Sequence, residues 1–199
     1  MKLILFDFDG VLVDTFIMSY EINKETNENL SLHMFRSLFH GNIYHSLRNH
    51  SKVKEHPKFF ERYEEQSREL KIPLPLQEII YKLSKDYKLA IVSATPSALI
   101  AKILKQANVS PCFSDILGGD IHTSKVVKNK MLLEKYKIVP ENAVFVTDTT
   151  GDISEARECG IKSIAVTWGF HEEKDLQKAN PERIVSTPED LLKALEEIL

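Results

Sequence analysis

Four short runs of uninterrupted apolar residues stand out along the chain: Leu3-Ile4-Leu5-Phe6, Leu89-Ala90-Ile91-Val92, Ala143-Val144-Phe145-Val146 and Ser163-Ile164-Ala165-Val166. None alternates with polar residues, which predicts strands covered on both faces, as in a parallel sheet. Helical spacing follows the later runs. Leu99, Ile100, Ile103, Leu104 and Ala107 share one face after Thr95-Pro96, a pair that reads as an N-cap and first helical position. A second helix is predicted over Asp152–Cys159, with Gly160 as its stop. A third is predicted after Thr187-Pro188, with Leu191, Leu192, Leu195 and Ile198 facing inward. Strand and helix alternate, so the expected fold is α/β, a Rossmann-like doubly wound parallel sheet.

One connection breaks the alternation. The stretch from Gly10 to Lys88 far exceeds the about 10–15 residues that a crossover needs. It holds helical patterns of its own, such as Phe59–Leu70, and no good strand run. Residues 15–85 are therefore expected to form an inserted α-helical cap, with Pro73 and Pro75 in the return linker, while 1–14 and 86–199 form the core.

At 199 residues, 43% hydrophobic and 28% charged, the chain can build a sizeable core, and a net charge of −3 argues against a nucleic-acid partner. No run approaches a membrane span or a signal segment, and Cys112 and Cys159 form no zinc or C-x-x-C spacing. A cytoplasmic protein is expected; oligomeric state is unreadable. Charge changes the picture only in residues 31–60, where Arg36, Arg48, Lys52, Lys54 and Lys58 face Glu55 alone and five of the seven histidines cluster. The stretch is either a solvated face or an electropositive lid over an anion-handling site.

The candidate chemistry follows the strand runs. Asp7 and Asp9 follow the first, Ser93 the second, and Thr147-Asp148 the third. In a parallel sheet these carboxyl ends share one edge, where ligands bind. Carboxylates gathered there need a compensating cation, and an all-oxygen donor set favours Mg²⁺. At i,i+2 spacing, one aspartate can act as nucleophile and the other as acid and then base. Gly10 falls where neither a calcium loop's first nor its twelfth position would be acidic.

The segment Phe6-Asp7-Phe8-Asp9-Gly10-Val11-Leu12-Val13-Asp14 resembles the first motif of the haloacid dehalogenase superfamily of phosphohydrolases. Ile91-Val92-Ser93 resembles the second motif, Lys125 is the choice for the third with Lys128 as its rival, and Val146–Asp152 resembles the fourth. Thr147 departs from the glycine common before the acidic residue. The resemblance spans the chain and points to the branch of phosphoglycolate phosphatase and β-phosphoglucomutase, whose helical cap matches the insertion.

It implies a Mg²⁺-dependent phosphatase acting on a small phosphorylated metabolite through an aspartyl phosphate. By the resemblance, Asp7 is the nucleophile and Asp9 the acid and base. Ser93 and Lys125 bind the phosphoryl group. Asp7, Asp9 through its carbonyl and Asp148 hold the metal, and Asp152 acts at the metal through water or orients Lys125. A phosphomutase of the β-phosphoglucomutase type and a receiver-like phosphoacceptor module are the alternatives. In the cap, Gly41-Asn42 is a candidate specificity loop, and Arg36, His45 and Arg48 are candidate substrate contacts.

Overall fold

The computed structural model describes residues 1–199. The first strand, β1 (Leu3–Phe6), leads into four helices: α1 (Phe16–Lys24), α2 (Leu32–Ser37), α3 (Ile43–Asn49) and α4 (Phe59–Gln66). The chain returns through α5 (Leu74–Leu83) to β2 (Lys88–Val92), then α6 (Ser97–Gln106), β3 (Asp115–Leu117), α7 (Lys125–Tyr136) and β4 (Ala143–Thr147). It closes with α8 (Thr150–Glu158), β5 (Lys162–Val166), α9 (Glu173–Ala179), β6 (Arg183–Val185) and α10 (Pro188–Ile198). No helix is long and apolar enough to cross a membrane.

The six strands lie in the order β3-β2-β1-β4-β5-β6, every pairing parallel. The apolar runs are sorted between the two faces by the period of two. Ile4, Phe6, Leu89, Ile91, Val144 and Val146 join one core cluster; Leu3, Leu5, Ala90, Val92, Ala143 and Phe145 join the other. A run that buries both parities cannot alternate with polar residues, which is why these strands were legible. β3 and β6 were not foreseen, being three-residue edge strands with a polar residue at the start.

The order reverses between β1 and β4, so their carboxyl ends flank the crevice of a doubly wound sheet. The helical cap stands over this edge around its own small core, which includes Phe16, Tyr20, Phe35, Leu38 and Val53. Its C-terminal boundary falls earlier than the residue 85 expected from the sequence. Ile72, Leu76, Ile79, Ile80 and Leu83 bury against the sheet in the main cluster, so α5 belongs to the core. The prolines expected in the return linker instead start this helix, Pro73 as its N-cap and Pro75 in its first turn, and the helix's apolar face fits the sheet.

Candidate active site

The Asp7 backbone continues β1 for one residue, its N–H donating to Val146 O of β4 at 2.9 Å. The chain then turns, and Gly10 adopts φ +75°, a conformation that glycine takes without strain. A Cβ on Gly10 would lie 2.0 Å from Asp148 Oδ2, so the turn and the close approach of β4 both require glycine. After β4, Thr149 caps α8, its hydroxyl accepting from the Asp152 N–H, which aims the first turn at the same crevice. Ser124 caps α7 in the same way and places Lys125 at its first position.

These segments converge. Lys125 Nζ lies 2.8 Å from Asp7 Oδ2 and 2.7 Å from Asp152 Oδ2, and all three side chains are buried. Asp7, Asp148 and Asp152 offer carboxylate oxygens within 4.8 Å of one another. At an effective dielectric of 20, each pair of charges about 4 Å apart repels by roughly 4 kcal/mol. One lysine cannot neutralise three carboxylates. Burial accordingly pushes the Asp7 carboxyl well above its ordinary range, against the pull of Lys125. Burial, reinforced by the charge of Asp152, also pushes Asp148 up to about 7, although the Phe170 N–H opposes it. For Asp152, burial acts most strongly and upward, but the Lys125 charge together with hydrogen bonds from Asp7, Lys125 and Thr147 outweighs it and holds the carboxyl low. For Lys125, burial disfavours the charge, and Asp152 and Asp7 overcome it and raise the pKa.

The cluster fits a divalent cation on independent grounds. Asp148 Oδ2 accepts from Phe170 N at 2.7 Å, whereas Asp148 Oδ1 is buried with no hydrogen-bond partner. An orphaned buried carboxylate oxygen is costly unless something positive meets it. With only oxygen donors, Mg²⁺ matches the set better than zinc or copper.

Asp9 is held separately. Its carboxylate accepts from Thr15 Oγ1 and Tyr63 OH at 2.8 Å each and from Thr95 Oγ1 at 2.7 Å, with Ser93 Oγ at 3.5 Å. Thr95 and Tyr63 were missed by the sequence reading. Thr95 resembled a helix cap, but Pro96 is the residue that caps α6, which starts at Ser97, and the threonine hydroxyl serves Asp9 instead. Tyr63 belongs to α4 of the cap and carries no local signal among the charges around it. It is almost wholly buried, and burial together with Asp9 raises its phenol well above the ordinary value, so it stays a donor.

The two rival lysines separate cleanly. Lys128 is fully buried and donates to the carbonyls of Ser93 at 2.5 Å and Gly118 at 3.3 Å, bracing the loop after β2. Burial and the neighbouring Lys125 lower its pKa to about 8. Lys125 is the one that touches Asp7. Thr147, the departure from glycine, donates to Asp152 Oδ2 at 2.7 Å and accepts from the Thr149 N–H, so its hydroxyl orders the turn.

The cap contacts expected from the sequence need correction. Arg36, His45 and Arg48 do not line the cavity above the carboxylates. Arg36 donates from Nε to Phe170 O at 2.6 Å and pairs with Glu172 at 2.7 Å, fastening cap to core. His45 and Arg48 are exposed on α3. Of the five basic residues in 31–60, only Lys58 lines the cavity, which favours the solvated face over the electropositive lid for this stretch. Gly41-Asn42 does line it, but Asn42 Nδ2 donates to Thr123 O and Glu155 Oε1 and bridges cap to core.

A family model described as haloacid dehalogenase-like hydrolase matches residues 4–166. The chain belongs to that family. It is 32% identical to a phosphoglycolate phosphatase of Aquifex aeolicus over 98% of this chain and 97% of that protein. The phosphoglycolate phosphatase of Vibrio parahaemolyticus is 28% identical over 55% of this chain and 49% of its own length, about half of each. Among solved structures, a haloacid dehalogenase-like family hydrolase from Streptococcus pneumoniae superposes with a TM-score of 0.76 at 24% identity, covering 98% of both chains. That likeness supports the doubly wound fold with its cap. In the structure Asp7 and Asp148 follow β1 and β4, whereas Lys125 opens α7 and Asp152 lies in the first turn of α8.

Proposed function

We propose that the protein is a Mg²⁺-dependent phosphatase that hydrolyses a small phosphorylated metabolite through an aspartyl phosphate on Asp7. The observation that carries this reading is the buried convergence of Asp7, Asp148, Asp152 and Lys125, with Asp9 held apart by hydroxyl donors. Asp7 attacks the phosphorus in line. Asp9 gives its proton to the leaving oxygen, then takes one from the water that cleaves the acyl phosphate. Ser93 and Lys125 hold the phosphoryl oxygens. Asp7, Asp148 and the Asp9 carbonyl, with Asp152 behind them, would hold Mg²⁺, which supplies positive charge against the anionic substrate. Phosphoryl transfer asks for positioning and charge neutralisation above all, and this floor is built for both.

Phosphate release from a panel of phosphate monoesters tests the proposal. Release should require Mg²⁺, stop in excess chelator, and fall by about 10,000-fold in Asp7→Asn with its circular dichroism unchanged. Full activity in chelator, or an Asp7→Asn variant within about tenfold of wild type, would remove the mechanism.

A further inference from the structure

Above the floor lies a cavity of about 300 Å³, within the range of pockets that take small organic ligands. Much of its cap wall is aromatic and aliphatic, beside polar side chains such as Asn23 and Tyr44. Phe39, Ile43 and Leu47 come from the α2–α3 side, and Phe59, Phe60 and Tyr63 come from α4. The rings of Phe59 and Phe60 meet edge to face at 5.2 Å.

The ionisable groups along the cap wall are Glu55, His56, Lys58 and Glu61. Lys58 Nζ sits 3.6 Å from the Glu61 carboxylate, and His56 is buried 3.4 Å from Glu25. On the floor, Lys125 is held between Asp7 and Asp152, and Lys128 faces two carbonyls. The two buried lysines of the floor are thus already engaged, the exposed Lys58 stands beside Glu61 at the rim, and Glu55 and Glu61 add negative charge. A leaving group carrying its own carboxylate would be desolvated against phenyl rings, with the buried lysines engaged elsewhere and two glutamates nearby. An unpaired ion in apolar surroundings is far more costly than a neutral ring in the same place. A neutral ring gains apolar burial and aromatic contact there.

We infer that the substrate is a phosphate monoester whose leaving alcohol presents an apolar, ring-sized face and bears no anionic group. This rests on the phosphatase reading above and narrows it: a phosphorylated carboxylic acid such as phosphoglycolate is a poor fit to this cap, whatever the relatives are called.

The test compares three monoesters of primary alcohols, so that intrinsic leaving-group reactivity is similar: benzyl phosphate, 4-carboxybenzyl phosphate and phosphoglycolate. Phosphate release by the wild-type protein with Mg²⁺ is measured as kcat/KM for each. Benzyl phosphate should exceed both carboxylates by at least about tenfold, the scale on which one pocket contact discriminates. If either carboxylate reaches more than a tenth of the benzyl value, the substrate inference is overturned and the phosphatase reading stands. If none of the three is hydrolysed, the phosphatase reading falls, and the inference with it.

Discussion

On the floor of the cavity each functional side chain is fixed by another: Lys125 by Asp7 and Asp152, Asp152 by Thr147, and Asp9 by three hydroxyls. On the cap wall, Phe39, Ile43, Leu47, Phe59 and Phe60 meet the cavity through carbon. The first arrangement is pre-organised, so a change of one atom propagates through a network. The second is a surface of shape, tolerant of volume-conserving exchange. The difference separates two tasks. On the proposed function, chemistry falls to the floor, where geometry must be exact to fractions of an ångström. Choice of leaving group then falls to Phe39, Ile43, Leu47, Phe59 and Phe60, which can be exchanged without touching the groups that hold the floor. Phe170 and Arg36 join the two regions: the Phe170 N–H holds Asp148, its ring packs on Phe16 and Phe39 of the cap, and its carbonyl accepts from Arg36.

Three variants sharpen this contrast. The largest effect is expected on the floor. Lys125→Met keeps the length of the side chain but leaves the carboxylates without their ammonium, and kcat/KM should fall about 100- to 1,000-fold. A fall of under about fivefold, in a variant with native circular dichroism, would remove Lys125 from the phosphoryl site. An intermediate effect is expected where the cap touches the floor. Tyr63→Phe deletes one of three hydroxyl donors to Asp9 and preserves the ring, so kcat should drop about tenfold with KM little changed. A rise in KM with kcat unchanged would instead limit Tyr63 to substrate binding. The smallest effect is expected on the outer cap. Replacing Arg48, Lys52 and Lys54 together by glutamine should alter kcat/KM by less than about twofold at low salt, because all three are exposed and none lines the cavity. A salt-dependent loss larger than fivefold would restore the electropositive lid.

The floor was legible in the sequence for a physical reason. Its residues follow strands whose apolar runs are unmistakable, and each strand end delivers a polar group within two residues. Asp7, Ser93 and Asp148 could therefore be placed at one edge before any coordinates. The helical insertion announced itself by length. Its wall did not, because cavity-lining and core-filling phenylalanines have the same chemistry: Phe35 and Phe59 look alike in a sequence and differ in burial. Charge was a poor guide for the same segment. Arg36 is drawn to Glu172, 136 positions later, a partner no local pattern reveals. Thr95 was hidden by an alternative local role, since threonine before proline reads as a cap wherever a helix follows. α5 was assigned to the insertion because it lies between the cap and β2 in the chain, while its apolar face belongs to the sheet.

The central claim is that the interlocked floor makes a covalent phosphoenzyme on Asp7, and it can be tested on the residue itself. An acyl phosphate is reduced by borohydride to an alcohol, so protein quenched during turnover of a hydrolysed monoester and then treated with borohydride should carry homoserine at position 7. Peptide mass spectrometry should find that change at Asp7, with Asp9, Asp148 and Asp152 unmodified and no change when substrate is omitted. Reduction at another aspartate, or unmodified Asp7 in protein quenched while phosphate is being released and water attack is rate-limiting, would contradict the account.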